Sequence, residues 1–256
     1  MPAPINEFKQ ALARGDRQIG CWMSFAEPIC AEVMGTAGFD WLVIDGEHSA
    51  NDVRSIRDQL VALAGSDAHP VVRVPIGETW IIKQALDCGA QTILVPIVES
   101  AEQAREMVRA IKYPPFGTRG VGAAAARATR FGEIADYVAT ADDQTCLLVQ
   151  VENRAGMAAL DEILEVEGVD GVFIGPADLS TDMGFKGNSA APEVQEMIAD
   201  AVKRIAAAGK APGLLGTTPD ATQGYFDMGA QFLAVGIDVL LLARAARGLA
   251  AEWKAK

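Results

Sequence analysis

The chain has 256 residues, of which 50% are apolar and 22% are charged. This balance is typical of a folded globular protein and is too apolar for a disordered one. The 34 acidic residues outnumber the 22 basic ones, which gives a formal net charge of −12. Because nucleic acid binds to basic surfaces, this charge excludes nucleic acid as the expected partner. An anionic substrate would need local positive charge, from a metal ion or a buried arginine.

The cysteine pattern and the apolar runs indicate where the protein works. Its four cysteines form no C-x-x-C pair, so we expect reduced thiols rather than disulfides or a cysteine metal site. The first residues contain no apolar core of a secretory signal. The longest apolar stretch, residues 234–246, is interrupted by Asp238 and Arg244 and is too short to span a membrane. These features predict a cytoplasmic protein that does not bind membranes.

Short runs rich in Val, Ile, Leu and Phe alternate with amphipathic segments along the chain. The predicted strands are residues 19–24, 41–45, 71–75, 92–96, 146–152, 171–175, 213–216 and 232–236. The predicted helices are residues 28–36, 51–64, 78–88, 100–111, 133–141, 156–165, 192–208, 219–227 and 239–254. Eight β/α units in a chain of this length predict one α/β domain over residues 1–256, a (β/α)₈ TIM barrel. An open doubly wound sheet is the competing fold, but no G-x-G-x-x-G follows the first strand.

The longest segment without a predicted helix or strand is residues 113–130. It contains Pro114, Pro115, Gly117, Gly120 and Gly122. Loops of this length inside a compact domain are usually functional or lie at an interface. We therefore expect this loop, together with the apolar C-terminal helix, to form a subunit interface.

Polar residues at the carboxyl ends of the predicted strands are the candidates for an active site, because barrel enzymes place their chemistry there. Glu152 ends the fifth strand and Asp178 follows the sixth, so the two carboxylates are expected to be neighbours. Two carboxylates without His or Cys suit a hard divalent cation such as Mg²⁺ or Mn²⁺. The alternative is that each of them only caps a nearby helix or turn.

His48 follows Asp45 by three residues after the second strand. A turn there could bring the Asp45 carboxylate onto one ring nitrogen, which would orient His48 as a general base. The alternative is a surface histidine beside a helix start. The second histidine, His69, precedes the third strand at the opposite end of the barrel and is expected to be structural.

Arg73 lies within an otherwise apolar strand, residues 70–75. A buried guanidinium is costly unless it meets anions. Asp45, Glu47 or a substrate carboxylate could supply them, and the planar fork favours a carboxylate substrate. No lysine ends a predicted strand, so the sequence disfavours Schiff-base chemistry.

Five motifs together carry a resemblance to a known family. They are FDWLVIDGEH at residues 39–48, YPPFGTRGVG at 113–122, LVQVE at 148–152, GVDGVFIGPADLS at 168–180 and LLARA at 241–245. With them the chain resembles the class II pyruvate aldolases, the family of 4-hydroxy-2-oxoheptanedioate aldolase and 2-dehydro-3-deoxyglucarate aldolase. Of these two enzymes it resembles the first more closely. The resemblance implies a barrel of the phosphoenolpyruvate/pyruvate superfamily and an aldolase that cleaves 4-hydroxy-2-oxo acids to pyruvate and an aldehyde.

The resemblance also implies roles for individual residues. Glu152 and Asp178 match the family's two metal ligands. His48 matches its base, and Asp45 matches the carboxylate paired with that base. Arg73 matches the arginine beside the keto acid that stabilises the enolate.

Further positions match substrate contacts and assembly. Gln150 matches the polar residue under the site, and the substrate carboxylate is held at the amides of Gly175, Ala177 and Asp178. Trp22 and Leu215 match positions in the wall of the family's substrate pocket. The cofactor implied is Mg²⁺ or Mn²⁺, with Co²⁺ or Zn²⁺ as alternatives. The family forms homohexamers built from trimers, in which Asp87 and Val121 match positions that a neighbouring subunit contributes.

Several alternatives remain at this point. The substrate could be a sugar acid of the 2-dehydro-3-deoxyglucarate type, or the donor could be hydroxypyruvate. A coenzyme A thioester lyase could share the metal pair, although the chain has little clustering of Lys and Arg for a nucleotide. A non-catalytic, metal-stabilised oligomeric barrel is the remaining alternative. Segments after the first and seventh strands, residues 24–27 and 216–219, are where acceptor choice could be decided.

Overall fold

Eight parallel strands close into one barrel in the computed structural model, which describes residues 1–256. Each strand pairs with its neighbours in sequence, and the last strand pairs with the first. The strands are β1 Gln18–Met23, β2 Trp41–Asp45, β3 His69–Arg73, β4 Thr92–Val95, β5 Cys146–Val151, β6 Gly171–Ile174, β7 Ala211–Leu215 and β8 Phe232–Ile237. This is the predicted (β/α)₈ architecture, and all eight predicted strands are present.

Helices surround the barrel and cap one of its ends. They are α1 Glu7–Arg14, α2 Pro28–Gly35, α3 Val53–Ala62, α4 Thr79–Asp87, α5 Ala101–Ile111, α6 Tyr137–Gln144, α7 Arg154–Ala158, α8 Leu160–Leu164, α9 Pro176–Asp182, α10 Pro192–Ala207, α11 Pro219–Met228 and α12 Asp238–Lys254. Two short 3₁₀ turns lie at Leu63–Gly65 and Arg127–Thr129. None of the helices is both long and apolar enough to cross a bilayer.

The core has two layers because strand side chains alternate between the two faces of the sheet. The larger layer lies between the sheet and the helices, and the smaller one fills the barrel. Helix α1 closes the amino-terminal end of the barrel with Phe8 and Leu12, which belong to the inner layer. Only the end formed by the carboxyl termini of the strands is left open for a site.

Three helical segments differ from the prediction. Helix α1 was not predicted, although Asn6 caps it and Phe8, Ala11 and Leu12 form its buried face. The predicted helix 156–165 is two short helices that meet at Ala159. The segment after Gly175, expected to be a turn, is the seven-residue helix α9. All three are short, and a helix of one or two turns leaves little periodicity to detect.

The loop of residues 113–130 contains no α-helix, as predicted, and one buried side chain anchors it. The Arg119 guanidinium is fully buried and lies 4.5 Å from the centre of the Tyr113 ring. Its Nη2 donates to Asp87 Oδ1 at 3.2 Å. The loop is thereby held against the carboxyl-terminal end of α4.

The seam between β1 and β8 is irregular. Gly20 pairs with Ala234 but Trp22 pairs with Ile237, so β8 carries one extra residue between these pairs. Such a bulge reverses the alternation of the residues that follow it. Ile237 consequently packs against the inner layer of the barrel, and Asp238 comes next at the open end.

Candidate active site

A cavity of about 410 Å³ opens at the carboxyl ends of the strands. Nine of the predicted site residues line it: Trp22, Asp45, His48, Arg73, Gln150, Gly175, Ala177, Asp178 and Leu215. An adjoining cavity of about 340 Å³ is lined by Glu47 and Glu152, and it shares His48 and Asp178 with the first. The structure therefore brings together the residues that the sequence placed at separate strand ends.

Arg73 and Asp45 form a buried bidentate ion pair. Register places them side by side on β3 and β2, and Arg73 Nε and Nη2 donate to the two Asp45 oxygens at 2.9 and 2.8 Å. Burial alone would raise the pKa of the Asp45 carboxyl, but hydrogen bonds and charge from Arg73 outweigh it and lower that pKa. Asp45 is thus a carboxylate, and it fixes the plane of the guanidinium.

The predicted contact between Asp45 and the His48 ring is absent. Asp45 Oδ1 instead accepts from the backbone N–H groups of Glu47 and His48, at 3.0 and 3.3 Å. Both Asp45 oxygens are also occupied by Arg73, so none is left for the imidazole. Asp45 therefore shapes the loop that carries His48 and does not orient its ring.

Glu47 is the carboxylate nearest to the His48 ring. Its Oε2 lies 3.8 Å from His48 Nε2 and 2.8 Å from Arg73 Nη1. The second contact is an ion pair without hydrogen-bond alignment, so Oε2 has no hydrogen-bond partner. Burial raises the pKa of the Glu47 carboxyl, and Arg73 and His48 oppose that shift. The His48 side chain is 65% exposed at the mouth of both cavities, where it can meet a substrate.

Glu152 is a buried carboxylate without a cationic side chain beside it. Its Oε1 accepts from the Ile97 N–H at 2.9 Å, and its Oε2 accepts from Gln150 Nε2. Burial is the main cause that raises the pKa of Glu152 to about 7, and the nearby charges of Glu47 and Asp178 add to the shift. A site that crowds three carboxylates in this way favours the arrival of a cation.

Gly175 makes room for the Glu152 side chain. A Cβ at this position would lie 2.6 Å from Glu152 Oε2 and 2.8 Å from Glu152 Cβ. Gly175 also directly follows β6 and is the N-cap of α9, the helix that carries Asp178. The absence of a side chain here therefore permits both carboxylates to face the same space.

These residues fit a divalent metal ion with two protein ligands. No group of three or more His, Cys, Asp or Glu side chains could hold a metal by itself. Glu152 and Asp178 are hard oxygen donors that line one cavity, and Mg²⁺ is commonly held by one or two carboxylates with water and substrate oxygens as further ligands. A keto acid could supply such oxygens.

The rest of the main cavity is apolar. Trp22 packs against Phe173 with ring centres 5.4 Å apart, and the Arg73 guanidinium lies 4.8 Å from the Trp22 ring centre. Strands β7 and β8 and the start of α12 contribute Leu215, Ile237, Val239 and Leu240. The charged and amide side chains come from β2, β3 and β5 and from the segments that follow β2 and β6, so the cavity has a polar half and an apolar half.

Asp87 and Val121 lie outside this cavity. Asp87 ends α4, which runs back towards the amino-terminal end of the barrel, and it pairs with Arg119. The Val121 side chain is 64% exposed in the same region. Neither residue lines the cavities of its own chain.

Two acidic residues in or beside the site, Glu47 and Asp238, are not among the predicted site residues. Glu47 was considered only as a partner of Arg73, because its proximity to His48 depends on the loop conformation. The sequence does not indicate Asp238, because the apolar run of the eighth strand predicts an end at Gly236. A polar residue at a strand end was the signal that identified the other candidates, and it applies to Asp238 once β8 extends to Ile237.

Comparisons with known proteins find relatives that match nearly the whole chain. Residues 18–245 match the model of the family described as HpcH/HpaI aldolase/citrate lyase. A hydroxypyruvate/pyruvate aldolase of Roseovarius nubinhibens is 61% identical over 254 residues, which is 99% of each chain. A 4-hydroxy-2-oxo-heptane-1,7-dioate aldolase of Shigella sonnei is 53% identical over 251 residues, 98% of this chain and 96% of the other.

A solved structure shows the same fold. It is the crystal structure of an HpcH/HpaI aldolase/citrate lyase family protein from Burkholderia cenocepacia, with a TM-score of 0.94 and 37% sequence identity. The match covers 97% of this chain and 99% of the other. The two relatives are named for different substrates.

Proposed function

The chain belongs to the HpcH/HpaI aldolase/citrate lyase family, and from this membership we propose that it is a metal-dependent aldolase, a carbon–carbon lyase. It reversibly cleaves 4-hydroxy-2-oxo acids to an aldehyde and pyruvate or hydroxypyruvate. The observation that carries the proposal is the pair of adjoining cavities, which are lined by the Glu152 and Asp178 carboxylates, the Arg73–Asp45 pair and an exposed histidine.

Glu152 and Asp178 would hold the divalent cation, Mg²⁺ or Mn²⁺, with Co²⁺ or Zn²⁺ as alternatives. When bound, the cation supplies Lewis acidity towards the oxygens of a 2-oxo acid. Gln150 supports this arrangement from below, because its amide donates to Glu152 and holds that carboxylate in place.

Arg73 supplies the positive charge that the protein itself places in the polar half. Its fork is held by Asp45, so the guanidinium needs no reorganisation when charge develops on the 2-oxo oxygen. A preorganised donor of this kind favours the enolate over the ground-state ketone.

His48 is the base of the proposed reaction. In cleavage, its ring takes the proton from the 4-hydroxyl, the C3–C4 bond breaks, and the electron pair of that bond becomes the enolate of the keto acid. Glu47 Oε2, 3.8 Å from His48 Nε2, stabilises the ring once it is protonated. The protonated ring then gives a proton to the carbon of the enolate, which yields the keto acid. In synthesis, His48 takes a proton from that carbon of the donor, the enolate adds to the aldehyde, and the proton passes to the new 4-hydroxyl.

We propose that the active form of the protein is a homohexamer built from trimers. Asp87 and Val121 then reach the active site of a neighbouring subunit, since they lie at the other end of the barrel from the cavity of their own chain. Much of α12 is solvent-exposed and apolar in the isolated chain, which supports assembly.

The test is an aldol assay with chelated protein to which single metals are returned. Pyruvate and hydroxypyruvate are offered with a panel of aldehydes, and product is followed by chromatography. Glu152→Ala should abolish metal-dependent turnover while its circular dichroism stays that of the wild type. Glu99→Ala, a change of the same size in the exposed carboxylate that accepts from Asn153, is the matched control. Full activity of Glu152→Ala without excess metal would refute the metal assignment.

A further inference from the structure

Asp238 joins the last strand of the barrel to the first loop. It begins α12 directly after β8, and its Oδ1 accepts from the Ser24 N–H at 2.9 Å. Its Oδ2 accepts from the Phe25 N–H at 3.3 Å. The same carboxylate accepts from the Val239 N–H at 2.6 Å. One side chain therefore binds backbone from two segments that are more than 200 residues apart in sequence.

These backbone contacts are the only strong interactions of the Asp238 carboxylate. The residue is 5% exposed and forms no ion pair. Only the backbone N–H donors therefore offset the cost of removing the carboxylate from water. A buried acid without a cation is costly unless it satisfies groups that would otherwise lack a partner. Here it satisfies the amides of the loop between β1 and α2, which no strand pairs.

The segments that Asp238 joins lie along the apolar half of the cavity. Ser24 lines the cavity on one side of the carboxylate, and Val239 and Leu240 line it on the other. The bulge in β8 places Ile237 opposite Trp22 and so brings Asp238 within reach of the loop. The Asp238 contact extends the connection between the two segments beyond Trp22 and Ile237, where the pairing of β1 with β8 ends.

The two halves of the cavity are suited to different parts of an aldol substrate. The keto acid portion carries a carboxylate and an oxo group and fits the polar half near Arg73, Glu152 and Asp178. The remaining chain of the 4-hydroxy acid, which comes from the aldehyde, is then directed towards Leu215, Ile237 and Ser24. This assignment rests on the proposed function.

We propose that Asp238 is a positioning residue that holds the β1–α2 loop against α12 and thereby sets which aldehydes the enzyme accepts. It acts through the backbone of Ser24 and Phe25 and does not touch the reacting atoms. Enolate formation from the keto acid occurs in the other half of the cavity and does not depend on it.

The test separates these two halves in the metal-loaded, full-length protein. Asp238→Asn replaces one carboxylate oxygen with an N–H donor, which faces the loop amides and loosens the loop. The aldehydes are propanal and hexanal, with pyruvate as the donor. We expect the KM for the better aldehyde to rise about tenfold and that for the poorer one to change much less, so that the ratio of their kcat/KM values shrinks by a similar factor. Exchange of pyruvate methyl protons with deuterated solvent, followed by NMR, should stay within about twofold of the wild type.

Two further variants keep the result interpretable. Asp52→Asn alters a carboxylate that also accepts from two backbone N–H groups, but at the start of α3 and outside the cavity. It should change none of these quantities. Asp238→Ser retains a short acceptor for the start of α12 but cannot reach the loop, and it replaces Asp238→Asn if that variant does not fold.

The outcomes are distinct. If proton exchange slows as much as aldol addition in the Asp238 variants, the residue supports the whole site and the proposal is wrong. Unchanged aldehyde KM and unchanged discrimination would also overturn it. Failure of the proposed function would already be visible in the wild type, which would then neither exchange pyruvate protons nor form an aldol product.

Discussion

Two nitrogens of the Arg73 guanidinium already donate hydrogen bonds to another side chain before any substrate binds. Nε and Nη2 donate to Asp45, and Nη1 lies 2.8 Å from Glu47 Oε2. A lysine in its place would keep one positive charge but could not form the bidentate contact. The orientation of the charge in the site therefore depends on the guanidinium fork.

We expect Arg73→Lys to lower kcat about 100-fold or more, the usual loss when one preorganised oxyanion donor is removed. Exchange of pyruvate protons should slow in parallel, because it requires only enolate formation. Steady-state kinetics and NMR exchange measure the two quantities. Arg105→Lys, a surface arginine paired with Glu102, is the control. A rise in KM alone, with the rate of pyruvate proton exchange unchanged, would show that Arg73 only binds substrate or supports the site.

Gly175 provides a second test at the scale of a residue. A Cβ there would lie 2.6 Å from Glu152 Oε2, so Gly175→Ala must displace that carboxylate. We expect the affinity for Mn²⁺, measured by calorimetry, to fall about 10- to 100-fold while the protein remains folded. Gly224→Ala on α11 is the matched control, since a Cβ there meets no atom within 4 Å. Wild-type Mn²⁺ affinity in Gly175→Ala would argue against Glu152 as a ligand.

At the scale of elements, the amino-terminal end of the barrel depends on contacts between α1 and β3. The His69 ring stacks on Phe8 with centres 5.5 Å apart, and His69 Nε2 lies 2.8 Å from Thr92 Oγ1. Burial lowers the pKa of His69 from 6.5 to about 4. His69, expected to be structural, contributes to the packing under the site and is remote from the cavity.

This pKa predicts an acid-dependent loss of stability. Between pH 6.5 and about 4 the unfolded chain binds a proton on His69 that the folded protein does not, so stability falls as the pH falls. The slope is at most about 1.4 kcal/mol per pH unit. His69→Gln should be less stable than the wild type at pH 7, and this difference should shrink towards pH 5 in urea unfolding. Thr92→Val, which keeps the imidazole, should retain the acid-dependent loss. A constant difference between His69→Gln and wild type across this range would contradict the assignment.

The elements also show which parts of the fold and the site can be predicted from the sequence. The strands were predictable because each is a dense apolar run bounded by Gly, Pro or Asp, and burial on both faces produces that pattern. Their carboxyl ends then identified Glu152, Arg73 and Asp178. The partner of the His48 ring was not predictable, since Asp45 could reach either the ring or Arg73 and only the paired register of β2 and β3 decides. Asp238 depended on a bulge that no local pattern reveals.

At the scale of the whole molecule, α12 packs on its own chain mainly near its start, and most of the helix lies exposed. This helix of 17 residues buries only Asp238, while Leu242, Leu249 and Trp253 are about 60% exposed. Helix α2 exposes Ile29 and Val33 to a similar degree. Apolar surface of this extent is typical of an interface between subunits, and it supports assembly into the proposed hexamer.

We expect the wild-type protein to sediment as an assembly of subunits at micromolar concentration. Leu249→Glu places a charge on the exposed face of α12, where burial against another subunit would leave that charge without a partner. It should shift the distribution towards smaller species and lower the activity, because each site would lose the residues that a neighbour contributes. Val61→Glu adds the same charge on α3 at a similar exposure, 53% against 60%, and should sediment like the wild type. Analytical ultracentrifugation with activity measured on the same samples tests both statements. A wild-type monomer with full activity would refute the hexamer and, with it, any role for Asp87 and Val121 in a neighbouring site.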